Sequence, residues 1–236
     1  MKQANRVIVF IQAAGFSLVE LLLAVGLGSF LLVIISRYYL AANQITHSQE
    51  QLSCLEDNLQ LAHFLLWSQI MQAGSAYNGA LSTDRQNKLA RVSPLWQTGI
   101  YGYSSHQAAA NGLGNKVVAG TDVIEIVKSS SLEPNRLEKI TFFVGKTNYE
   151  TGKAKQDTAL YQLVDDRDSV ELVPGVVAMK IGYLPHSAIQ SPPLTAEEVN
   201  RLGKWDQIKI VVIDLQLKCR QLEQQERIYI RLRARG

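Results

Sequence analysis

The chain has 236 residues, 47% hydrophobic and 19% charged, enough for one or two globular domains and too apolar for a disordered tail. Its 24 basic and 21 acidic residues leave a net charge of +3, which makes no electrostatic case for a nucleic-acid groove or a polyanion site. The two cysteines, Cys54 and Cys219, are too few and too far apart for a zinc finger or a CxxC redox pair.

Apolar residues crowd the start of the chain. Residues 16–35, FSLVELLLAVGLGSFLLVII, carry one charge, Glu20. At ~1.5 Å per residue a helix of this length spans roughly the ~30 Å hydrocarbon core of a bilayer, so a transmembrane segment over 16–36 is predicted. Lys2 and Arg6 are the charges that precede it, which places the N-terminus in the cytoplasm and the bulk of the chain outside, with Arg37 dissenting mildly. A secretory signal peptide would share the basic start, and Ala13-Ala14-Gly15 would supply its small-residue cleavage site. Here, however, the apolar stretch 7–11 is short, Gln12 interrupts it, and the longest apolar run follows the small residues. That is the reverse of a signal peptide's order.

Glu20 requires a reason, because an ionisable group inside a span costs about 2.5–3.5 kcal/mol on insertion scales. No basic residue within the span can pair with it. If the chain is cut between Gly15 and Phe16, the new α-amino group lies four residues, about one helical turn, before Glu20, and the same amine on a neighbouring subunit would serve as well. A carboxyl held protonated near the interface is the alternative.

The run Gly15-Phe16-Ser17-Leu18-Val19-Glu20-Leu21-Leu22-Leu23-Ala24 resembles the class III signal of type IV prepilins and of type II secretion pseudopilins. The resemblance implies that residues 1–15 are a leader removed by a prepilin peptidase after Gly15, that the Phe16 amine is N-methylated, and that Glu20 docks the subunit into a filament. Family leaders are usually polar and basic up to the glycine, whereas residues 7–11 here are apolar.

Beyond the span, Ile45, Leu52, Leu55, Leu59, Ala62, Leu66, Ile70 and Ala73 recur mostly at spacings of three and four. This predicts an amphipathic extracytoplasmic helix over 37–73, ended by Gly74-Ser75. A coiled-coil dimer is the competing reading, but the stripe covers little more than four heptads and lacks regular flanking charge pairs. Residues 74–236 then read as a β-rich globular head with strands at 122–128, 139–144, 159–164, 176–184, 207–217 and 226–233. Turn signals separate them, such as Glu133-Pro134-Asn135, Thr151-Gly152-Lys153 and Pro192-Pro193. An antiparallel meander laid across the amphipathic half of the helix is the expected α+β architecture. Residues 75–120 show few periodic apolar positions and read as a long irregular insertion with room for one short helix or hairpin.

No catalytic motif is found. His47, His63, His106 and His186 form no HExxH and no paired-ligand spacing, and there is no GxSxG elbow, Walker loop or complete GxGxxG. No enzyme activity, metal or cofactor is therefore expected. Asp165, Asp166 and Asp168 lack the Gly and Glu of a calcium loop and read as a solvated turn. Arg227, Arg231, Arg233 and Arg235, with Tyr229, read as the solvent face of a strand, a contact to DNA or lipid headgroups being the alternative. For Cys54 and Cys219 two readings stand: a disulfide formed in an oxidising compartment, or two buried core thiols.

A second resemblance runs through the head. The QAG helix end at Gln72 to Gly74, GTDVIEIV at 120–127, LYQLV at 160–164, ELVPGVVAMKIGY at 171–183, WDQIKIVVIDLQLK from Trp205 and RIYIRLR at 227–233 are similar to PilW-like minor pilins. GspJ-like minor pseudopilins share part of the plan. The PilW-like reading implies a pilin-like fold and a minor pilin that joins other minor pilins and the major pilin to prime or cap pilus assembly, supporting adhesion, twitching motility or DNA uptake. DNA uptake is the one route by which nucleic acid becomes a partner. It also implies residence in the inner membrane, head in the periplasm, and then at the pilus tip. A membrane-anchored extracytoplasmic binding protein is the reading from a different class, and it needs neither Glu20 nor a cut site.

Overall fold

The computed structural model describes residues 17–74, 95, 98–130, 136–147, 158–185 and 192–233. The chain divides into two compact units, residues 1–49 and 50–236. The helix α1, Leu18–Ile70, enters both. No proline occurs before Pro94, so nothing removes a backbone donor along its length.

In the second unit α1 buries Leu55, Leu59, Ala62, Leu66 and Ile70, the predicted stripe at helical spacing. The stripe begins later than its periodicity suggests, for Leu52 is half exposed. The helix also ends three residues short of Ala73: Gln72 and Ala73 donate to the carbonyls of Gln69 and Ile70, and Gly74 donates to Val127 O at 2.9 Å. This tightened last turn carries the chain onto the sheet. Gly74 and Gly99 meet there back to back, both at positive φ, and a Cβ on Gly99 would lie 2.4 Å from Gly74 Cα.

Eight strands follow among the described residues: β1 Ile100–Ser104, β2 Asp122–Ser129, β3 Leu137–Lys146, β4 Thr158–Val164, β5 Ser169–Pro174, β6 Val176–Pro185, β7 Ile208–Cys219 and β8 Leu222–Arg231. All pair antiparallel, but in two sheets: β1-β2-β3-β4-β5 and β6-β7-β8. The single meander expected from the sequence is corrected here. The division falls at Pro174-Gly175. Pro174 has no N–H to extend a ladder, and Gly175, at φ +80°, turns the chain out of the first sheet. Gly175 then bridges the two, donating to Thr158 O at 2.9 Å and accepting from Lys218 N at 2.8 Å.

The α+β expectation, a long N-terminal helix with antiparallel sheet, holds in this coarser form. Three elements differ from it. β1 lies in the stretch read as irregular, β5 follows the aspartate turn, and a helix α2, Ala196–Leu202, links β6 to β7. Seven residues are too few for a helical period to show. The local signal of α2 was its capping box, in which Thr195 and Glu198 hydrogen-bond each other's backbone, with Gly203 left-handed just past its end.

One apolar cluster joins α1, the inner face of the first sheet (Ile124, Ile126, Ile140, Phe142, Leu160) and that of the second (Met179, Val211, Ile213, Leu215, Ile228, Ile230). Trp205 closes its end, stacked edge-on against Tyr183 at 4.8 Å and donating its indole N–H to Asn200 at 2.7 Å. Such burial is the dominant favourable term in folding.

Candidate functional site

The sequence directs attention to the start of the chain. Gly15 and Phe16 lie outside the described residues. Glu20 sits in the first turn of α1, where a carboxylate complements the free N–H groups and the positive end of the helix dipole. From Leu18 to Ile35 every large apolar side chain is exposed, from 48% at Ile34 to 74% at Leu18. The best 18-residue window has a mean hydropathy of 2.6, with none of it buried. A segment apolar on all sides is a membrane-compatible helix and not the half-buried helix of a soluble core.

Its polar atoms fit the same reading. Ser29 donates to Gly26 O at 2.9 Å and Ser36 to Leu32 O at 2.7 Å, so these hydroxyls find partners inside the helix, as a hydrocarbon environment demands. The run closes with Arg37, Tyr38 and Tyr39, the tyrosines 77% and 64% exposed. Cations and tyrosines are the residue types that suit a lipid–water boundary.

In the second unit the two cysteines form a disulfide, with Cα atoms 6.4 Å apart across 165 residues of sequence. It fastens α1 to the end of β7. Asn58, one turn along, donates its amide to Pro174 O at 3.3 Å, and Glu50 lies 3.6 Å from Arg220 in the β7–β8 turn. Cys219 is also 4% exposed, so the alternation that made it look like a core residue was correct about its burial.

The aspartate turn joins β4 to β5 with Asp165 and Asp166 both in the left-handed region. Its carboxylates meet cations of the protein: Asp165 pairs with Arg136 at 2.9 Å and accepts from Lys139 N at 3.0 Å, and Asp166 pairs with Lys139 Nζ at 2.6 Å. Among the described residues no cluster of His, Cys, Asp and Glu is arranged to hold a metal ion. His47, His63 and His106 are exposed and scattered; His186 and Arg235 lie outside the described residues. Of the C-terminal arginines, Arg227 forms a bidentate pair with Asp214 at 2.6 and 2.8 Å, which holds its guanidinium more firmly charged. Arg231 and Arg233 are exposed, as is Tyr229.

Sequence reasoning missed a buried polar group in the first sheet. Glu125 of β2 accepts from Tyr103 OH at 3.1 Å and lies 3.9 Å from Lys139 Nζ. Burial raises its pKa, and Lys139 and the Tyr103 hydrogen bond oppose this without prevailing. Lys139 is engaged more closely by Asp166, whose own negative charge adds to the effect of burial on Glu125. Burial and the adjacent carboxylate also raise Tyr103. Glu125 stands inside an otherwise apolar strand, DVIEIV, which was the one local sign of it. A larger groove, about 390 Å³, runs beside β6, β7 and the start of α2. Both of its cations are matched from within, Lys180 by Asp122 at 3.7 Å and Arg227 by Asp214.

No protein-family model matches the chain, and no curated protein is significantly similar to it.

Proposed function

We propose that the protein is a minor type IV pilin, held in the inner membrane by the first half of α1 and joined there by other minor pilins to prime or cap a filament. The observation that carries this reading is an apolar run, exposed on every side, whose lone carboxylate, Glu20, follows Phe16 by four residues of sequence. In a plain anchor the helix terminus alone complements that carboxylate; in an assembling subunit it gains in addition a charged partner, the amine that cleavage creates. The disulfide supports a head located in an oxidising compartment outside the cytoplasm.

The test is made in cells that produce the protein at equal levels as wild type or Glu20→Ala. Mass spectrometry of the wild type is expected to find Phe16 as the N-terminal residue. Glu20→Ala is expected to insert and be processed, since losing a charge eases insertion, but to co-purify with other minor pilins about tenfold less and to lower surface piliation, the loss expected for ~1.4 kcal/mol of coupling. Undiminished co-purification would reject the docking role and leave a plain anchor. Recovery of secretion pseudopilins in place of pilins would move the protein to the type II secretion machinery.

A further inference from the structure

The first sheet buries one face in the main core. Its other face is roofed by residues 105–120, which bring Ala108 and Leu113 onto Tyr103, Val123, Phe143 and Leu163. At one end of this roof the lining turns polar and a cavity of about 210 Å³ opens, room for roughly seven waters at ~30 Å³ each. Glu125, Lys139 and Thr141 line it from the sheet, Lys116 from the roof, and Asp166 and Arg167 from the β4–β5 turn.

Two features distinguish this cavity from a structural ion-pair cluster. Thr141 is 1% exposed, and its hydroxyl leans on Glu125 closely enough to favour the charged carboxylate but reaches no partner at full hydrogen-bond geometry. Buried hydroxyls in folded proteins almost always have a partner, so an unpartnered one lining a cavity marks a position that a ligand atom would occupy. Secondly, Lys116 and Arg167 have no ion-pair partner among the described residues, whereas Glu125 and Asp166 share Lys139. The cavity therefore has acceptor oxygens inside and uncommitted cations beside them. A bare phosphate would meet the two carboxylates, and a neutral sugar would leave the cations unused. A molecule with one carboxylate and several hydroxyls satisfies both sets.

We propose that this cavity binds a small hydroxylated carboxylate of the sugar-acid class, its carboxylate against Lys116 and Arg167 and its hydroxyls against Thr141, Glu125 and Asp166. The proposal rests on the second compact unit alone and is independent of the assembly reading. The probe is glucuronate, titrated calorimetrically into the full chain in detergent micelles, with glucose and inorganic phosphate as comparisons. Saturable one-site binding of glucuronate is expected in the micromolar to millimolar range typical of small polar ligands, with glucose at least about tenfold weaker. Thr141→Val and Lys116→Ala are each expected to weaken it by about tenfold or more, the effect of one lost hydrogen bond to a charged group. Lys116 is exposed, so its variant keeps the fold and decides the matter even if Thr141→Val does not. Absence of saturable binding, equal affinity in Lys116→Ala, or phosphate binding as tightly as glucuronate would each overturn the proposal.

Discussion

Glu125 shows how a single residue is set by what surrounds it. Tyr103 faces its carboxylate from β1, Lys139 from β3 and Asp166 from the β4–β5 turn, while Lys116 and Arg167 share the cavity. Burial, reinforced by the charge of Asp166, outweighs Lys139 and the Tyr103 hydrogen bond and raises its pKa above the usual 4.5. The folded state therefore holds this proton at pH values where the unfolded chain has released it. Its contribution to stability is complete below about 4.5 and is lost as pH rises through the raised folded value. Thermal melts of the full chain across pH 4 to 8 are expected to show a downward stability slope, and Glu125→Gln is expected to flatten it. An equal slope in the variant would assign the pH dependence to other groups.

At the scale of elements, the second half of α1 forms part of the core. Leu55, Leu59, Ala62, Leu66 and Ile70 are all within 5% of full burial, and they share one cluster with both sheets. Removing residues 1–49 takes away exposed apolar surface and leaves this stripe in place, so the 50–236 fragment is expected to be soluble and folded. Removing residues 1–74 uncovers the sheet faces against which the stripe packs, and exposed apolar patches of that kind aggregate. Size-exclusion chromatography and circular dichroism of the two fragments check this. A folded, monomeric 75–236 fragment would show that the sheets form a sufficient core alone. The smaller change Leu66→Ala, at a fully buried position, is expected to cost about 2–5 kcal/mol by denaturant unfolding.

At the scale of the whole chain, the disulfide is the connection with the longest reach. It joins residues 165 positions apart, tying an early helix to a late hairpin. Cross-links that close long loops restrict the unfolded chain most, and removing one typically costs about 2–5 kcal/mol. Cys54→Ser with Cys219→Ser is expected to lower the denaturant midpoint accordingly. Reduction of the wild type should reproduce the shift. Agreement between the midpoints of the double variant and the oxidised wild type would show that packing alone fixes the helix on the sheet.

The helix and its apolar run were legible in the sequence because both depend on local quantities: a run without proline or competing charge, and a period of three and four that needs no knowledge of what it packs against. Glu20 was legible for the same reason, as one charge in an apolar field, and so were the longer strands. The tertiary structure decided what depends on distant partners. Whether Cys54 and Cys219 pair turns on where β7 ends relative to α1, which no spacing encodes. The division into two sheets turns on the bend at Pro174-Gly175, and the strand character of β1 on its pairing with β2. The cavity beside Glu125 exists because β2, β3, the roof and the β4–β5 turn converge there, bringing together residues from Lys116 to Arg167. Hydrophobic pattern specifies which face of an element is buried, but the positions of polar groups relative to one another are set by packing between elements far apart in the chain.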